Sequence, residues 1–214
     1  MGCCHIESVR TSKIVIFSPK SQPPDLSYPE LCSRWCRWLV SIPKSHNPTL
    51  REWTHVTDTH HNIGKIVFLC QTFDFQQIPS VPTRSVTIPD GYQIFMPIIN
   101  WVYALDREGH QEQENARRLA SERMDEASNL RLSINGEPIS LEFSNFRCRS
   151  VVNDVLLPHG NIFDMEPSVT SVVADGFWIF FRPLTKELIL DTHGSCRLGR
   201  IQIAVSYHLT VGDK

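Results

Sequence analysis

The feature that most constrains this chain is a series of strand-length runs set apart by turn signals. Residues 64–71 (GKIVFLCQ) are almost continuously apolar, 84–88 alternate, 92–99 are apolar again, and 201–211 alternate from end to end. Apolar residues at every second position bury one face of a strand, and a continuous run buries both. Further runs at 130–143, 147–157, 169–173, 177–181 and 187–191 bring the set to eight or more. Two helical patterns interrupt the series, but no strand–helix–strand rhythm appears. The expected class is mainly β: an antiparallel β-sandwich of jelly-roll or Ig-like type, with two accessory helices. A length of 214 residues suits one domain. Residues 1–27 read as a poorly ordered lead and 28–214 as a single sandwich domain.

Local signals refine this. Pro89-Asp90-Gly91 reads as the turn of a hairpin that feeds a central strand across 92–99, and 64–71 reads as a second central strand. Pro97, inside the apolar run, requires a bulge or a strand end. Asn135-Gly136 joins two alternating limbs, Leu130, Leu132, Ile134 and Ile139, Leu141, Phe143, as a type I′ turn does. Residues 28–41 read as a helix with Pro29 in its first turn, and Cys32 and Cys36 share one of its faces as small apolar fillers. Residues 106–127 read as an amphipathic helix with a Glu114–Arg118 pair. Residues 14–17 are a candidate edge strand, and Asp175-Gly176 reads as a turn.

Charge removes some functions from view. Lys and Arg number 21 against 23 Asp and Glu, with no block of one sign. That argues against a nucleic-acid groove and against a polybasic membrane patch. No run is long enough for a transmembrane segment. Seven cysteines without a CxxC pair fit free thiols in a reducing compartment. The only apolar run near the start is 14–17, too short for a secretory signal. The expected location is therefore cytoplasmic. The start, Met1-Gly2-Cys3-Cys4, looks like an acylation site, although Ile6 stands where the myristoylation pattern has Ser or Thr.

Read together, several segments resemble an uncharacterised bacterial family. They are 35–48 (WCRWLVSIPKSHNP), 65–69 (KIVFL), 84–100 (RSVTIPDGYQIFMPIIN), 161–163 (NIF), 173–184 (VADGFWIFFRPL) and 207–211 (YHLTV). Members of that family read WWQWALSIP…NP, GPVWFLAG, R.CTVPAGKALFFPIIN, DNIFG, VADGYWLLLPL and VTYHLTV. The resemblance covers most of the chain from Tyr28 onward. It implies a shared fold and carries no activity over. Many members are exported, and this chain shows no comparable leader. Asn100 matches the residue closing the family's strand, while Trp101-Val102-Tyr103 stand where members carry acidic and Cys positions.

No phosphate loop, dinucleotide fingerprint, nucleophile elbow or HExxH motif occurs, so no cofactor is implied. Ser195 beside His193 reads as a turn residue, not as part of a triad. Two functions are carried forward. One is a binding module, with Trp53, Asn100, Trp101 and Asp175 as candidate ligand contacts at strand ends. Its partner could be a small molecule, a glycan or a protein. The other is a metal-dependent enzyme using His55, Asp58, His60 and His61, since imidazole and carboxylate are good zinc or iron ligands.

Overall fold

A computed structural model gives the fold and describes residues 8–19, 26–50, 65–72, 81–105, 112–196 and 201–212. The first half holds β1 (Ser8–Arg10), β2 (Ile14–Phe17), α1 (Tyr28–Val40), β3 (Ile66–Phe68), β4 (Thr83–Ile88) and β5 (Gln93–Ala104). The second half holds α2 (Glu112–Asp125), β6 (Ala127–Ile134), β7 (Glu137–Pro138), β8 (Arg147–Arg149) and β9 (Asn153–Leu156). It closes with β10 (Val169–Pro183), β11 (Glu187–Cys196) and β12 (Ile201–Val211). The fold is mainly β, with two sheets and two helices, as the alternation implies.

Strand β10 is the spine of the first sheet, whose path runs β1-β2-β10-β5-β3. β5 lies along one edge of β10 over ten paired positions. The other edge is shared in turn by β9, β8 and β2. Here the structure corrects two expectations. Residues 14–17 are not at the edge, because β1 pairs outside them and Ile14 and Ile16 are buried. Residues 147–157 form two short strands, not one.

The second sheet runs β4-β12-β11-β6-β7. β4 pairs with β12 in parallel, and β3 with β5 in parallel, so both sheets are mixed. This overturns the expected hairpin at 84–99. β4 and β5 belong to different sheets, and the turn at Pro89-Asp90-Gly91 carries the chain between them. Residues 64–71 are not central either. β3 stands at the end of its sheet's path and is apolar because both of its faces are covered.

Side chains sort into two cores. Ile94, Met96 and Ile98 of β5 meet Val86, Leu190, Val205 and Tyr207 of the second sheet, so this core fills the space between the sheets. On the opposite face of the first sheet, Phe95, Trp178 and Phe180 pack beneath Leu31, Trp35 and Leu39 of α1. The layers are therefore sheet, sheet, helix. α1 begins with a capping box in which Ser27 and Glu30 satisfy each other's main-chain N–H groups. α2 lies over β5 and β10 through Ala116, Ala120 and Met124. On its surface Arg118 pairs with Glu122, four residues on, instead of with Glu114.

The Asn135-Gly136 turn has φ of 52° and 78°, the left-handed pair that a type I′ turn needs. Its second limb is shorter than expected. β7 covers only Glu137–Pro138, one further bond follows from Ile139 N–H to Leu132 O (2.9 Å), and Phe143–Phe146 turns into a short 3-10 helix.

Arg84 crosses between the layers. Its guanidinium is wholly buried and donates to Cys70 O (2.9 Å), Tyr207 Oη (2.9 Å) and Pro48 O (2.7 Å). Tyr207 also donates to Cys70 O. Burial drives the Tyr207 phenol well above its ordinary range, so it remains a neutral partner of the cation.

Candidate functional site

Pro97 sets the geometry of the site. Before it, β5 pairs with β3: Gln93 N–H donates to Lys65 O (2.8 Å), and Leu69 N–H donates to Phe95 O (3.1 Å). The next bond of this parallel ladder would run from residue 97 to Leu69 O. Proline has no N–H, so the ladder stops there. The Trp35 indole N–H takes the vacant carbonyl instead, at 2.7 Å. β5 continues beyond β3 with its outer edge unpaired among the described residues.

A bulge follows at once. Phe177 stands opposite Ile99 and Trp178 opposite Pro97, leaving Ile98 as the extra residue. The expectation that Pro97 demands a bulge or an end is met by both, on its two sides. The bulge inverts the phase of the strand. Ile98 and Ile99 both enter the intersheet core, and Val102 and Ala104 then face the α1 layer.

The same inversion decides which main-chain groups β10 leaves unused. Leu105 N–H donates to Ser171 O at 2.8 Å. By antiparallel alternation Tyr103 also bonds toward β10, so the N–H and C=O of Val102 and Ala104 point away from it. They face a cleft of about 410 Å³. Trp101, Val102, Tyr103 and Ala104 form its floor, Thr49 and Leu50 one wall, and Ile162, Phe163 and Met165 the other.

Each wall is tied by one fully buried asparagine. Asn47 donates to Leu39 O (2.8 Å) and Ile42 O (3.2 Å), and its carbonyl accepts from Thr49 N–H (3.1 Å) and Thr49 Oγ1 (2.6 Å). Asn161 donates to Pro158 O (3.0 Å) and Met165 O (2.7 Å) and accepts from Phe163 N–H (3.1 Å) and Met165 N–H (3.2 Å). Lys44 joins the walls: its N–H donates to Gly160 O (2.7 Å), and its ammonium meets Asp164 at 2.6 Å. The signals for these walls are the Asn-Pro and Asn-Ile-Phe segments, which the sequence shows without showing what they tie.

The expected contacts fare differently. Trp101 lines the cleft, with the Arg123 guanidinium 5.1 Å above its ring and Tyr103 beside it. Asn100 lies next to the cleft and is 1% exposed, and among the described residues neither Oδ1 nor Nδ2 has a partner. Asp175 is not a turn residue and not an open ligand contact. It lies within β10, 1% exposed, and accepts from Ser121 Oγ (2.9 Å), Arg147 Nη2 (2.9 Å) and Arg149 Nε (3.3 Å). It fastens α2 and β8 to the sheet. Ser195 is likewise within a strand, bonded to Ser128 Oγ and Asn129 Nδ2, both at 3.0 Å.

Trp53, His55, Asp58, His60 and His61 lie outside the described residues, as do Gly2, Cys3 and Cys4. Among the described residues no three His, Cys, Asp or Glu side chains gather as a metal site. No helix among them is long and apolar enough to cross a membrane. The fold and cleft define a two-sheet β protein with an apolar cleft at a strand edge that is unpaired among the described residues. No family model, no curated protein and no solved structure matches the chain.

Proposed function

We propose that the protein is a binding module and that the cleft beside β5 takes an apolar ligand carrying a hydrogen-bonding group. The observation that carries this is the floor of the cleft, where the main-chain groups of Val102 and Ala104 point away from β10 and have no partner among the described residues. A concave, mostly apolar site with a few fixed polar groups is the usual form of a small-molecule pocket, and the volume lies in that range. The lining supports an apolar ligand over a sugar. Its side-chain hydroxyls are those of Thr49 and Tyr103, and the Thr49 hydroxyl is already given to Asn47.

Fluorescence titration with anilinonaphthalene sulfonate, an apolar dye with a polar end, tests this. One saturable site per chain is expected. Leu50→Arg and Ile162→Arg, each placing a charge in the cleft wall, are expected to weaken it by about tenfold or more, or roughly 1.4 kcal/mol. Unchanged melting temperatures show that the fold is kept. Equal dye binding by all three proteins rejects the site. Binding of a soluble oligosaccharide in place of the dye moves the reading to a glycan.

A further inference from the structure

Among the described residues three asparagines are buried, Asn47, Asn100 and Asn161, and they are not alike. Asn47 and Asn161 each make four hydrogen bonds and so tie the two walls of the cleft. Asn100 makes none among the described residues: its Oδ1 and its Nδ2 are both buried without a partner. Burying an amide without hydrogen bonds is costly, and a strand interior does not favour asparagine. A leucine would fill a similar volume without that cost. Asn47 and Asn161 are therefore accounted for by the fold, and Asn100 is not.

The strand decides where Asn100 points. It stands opposite Gly176, and the residues two positions either side of that glycine, Ala174 and Trp178, both pack in the α1 layer. A Cβ on Gly176 would meet Asn100 Cβ, so the two positions share that face. Val102 and Ala104 face the same layer. By the two-residue repeat of a strand, Asn100, Val102 and Ala104 form one row, spaced roughly 6.5 Å apart. Val102 and Ala104 are half-buried and line the cleft, and Asn100, fully buried, closes the row at its inner end.

We propose that the Asn100 side chain reads the polar end of the cleft's ligand, and that this end is an uncharged carboxamide or lactam. The inference rests on the cleft being the binding site. An asparagine amide sets a donor beside an acceptor. A ligand with an N–H beside its C=O satisfies both: Nδ2 donates to the ligand oxygen, and Oδ1 accepts from the ligand N–H. A carboxylate offers acceptors only and turns one of them against Oδ1. A hydrocarbon leaves both atoms unpaired. The described lining carries no basic side chain to favour an acid. Arg123 lies over the Trp101 ring, and Trp101, next in sequence to Asn100, packs toward the opposite face of the strand. The apolar body of the ligand rests against Leu50, Ile162 and Phe163.

Calorimetric titration of the full-length protein with octanamide, N,N-dimethyloctanamide and octanoate tests this. The three share one apolar body; the second lacks the N–H and the third is charged. Octanamide is expected to bind about tenfold or more tightly than either, because a site built to pair a polar group rejects analogues that lack it. In the NMR spectrum, saturating octanamide is expected to shift the side-chain amide signal of Asn100. Asn100→Leu is expected to remove the preference for octanamide; if this variant does not fold, the wild-type affinities and the NMR signal decide. Equal binding of the three probes, with the dye still bound at one site, keeps the cleft and overturns the role of Asn100. An Asn100 signal that octanamide leaves in place, as with an ordered water only for a partner, overturns it too. So does tighter binding of octanoate. Loss of the dye and of all three probes rejects the cleft itself, and this inference with it.

Discussion

Gly176 has no room for a side chain. A Cβ there would stand 2.5 Å from Asn100 Cβ, 2.8 Å from Ile99 O and 2.9 Å from Asn100 Cα. Two of these neighbours are main chain and cannot swing aside. Gly176→Ala is expected to cost about 3 kcal/mol, read as a shift in the urea midpoint; a loss below about 1 kcal/mol would contradict the tight approach of β10 to β5. The dipeptide Asp175-Gly176 invites a turn reading because turns favour both residues. Here each has a reason that depends on distant chain: glycine admits Asn100, and the aspartate receives Arg147 and Ser121. Neither partner can be inferred from neighbours in sequence. His193 shows a gentler residue-scale effect. Burial, and then Arg131 directly opposite it, lower its pKa. A histidine with a folded pKa below its unfolded value binds its proton more tightly when unfolded. Stability from this group is therefore present above the unfolded pKa and is lost as pH falls through the folded one. Arg131→Ala is expected to raise the His193 pKa part of the way back, as followed by NMR titration; no movement would remove Arg131 as a cause.

At the scale of elements, Pro97 decides where β3 ends, and Trp35 takes over the carbonyl that Pro97 cannot serve. Trp35→Phe keeps an aromatic ring in the core but orphans Leu69 O. It is expected to cost roughly 1–3 kcal/mol. With Pro97→Ala in the same chain, an N–H returns to that carbonyl, and part of the loss is expected to be recovered. A double-mutant cycle measures this, and strict additivity would sink the link between the two residues. Pro97 was legible as a bulge or strand end because its missing N–H is a local fact. The helix over residues 28–41 was legible for the same reason, its capping box and apolar stripe being local. The hairpin at 84–99 was misread because alternation fixes which face of a strand is buried and says nothing about its pairing partner. β4 finds β12, far along the chain, and the Pro-Asp-Gly turn serves a crossing between sheets as well as it would serve a hairpin.

For the whole molecule, the mainly β class and the two helices follow from periodicity, whereas the strand order does not. The three short strands sharing one edge of β10, and the two parallel pairs, are products of long-range packing. The cleft belongs to this scale. It exists because β3 stops at Pro97, the bulge turns Val102 and Ala104 outward, and the Asn47 and Asn161 knots raise walls on either side. Of the contacts expected from sequence, Trp101 lines it and Asn100 adjoins it. Ile162, Phe163 and Met165 went unseen as lining because apolar loop residues carry no periodic signal. The most direct test is amide hydrogen exchange by NMR, residue by residue along β5. Tyr103 and Leu105, bonded to β10, are expected to exchange slowly. Val102 and Ala104 are expected to exchange quickly in the free protein and to slow when anilinonaphthalene sulfonate saturates the cleft. Equal slow exchange at all four amides in the free protein would show that the edge is already paired, and the open cleft at the centre of this account would be wrong.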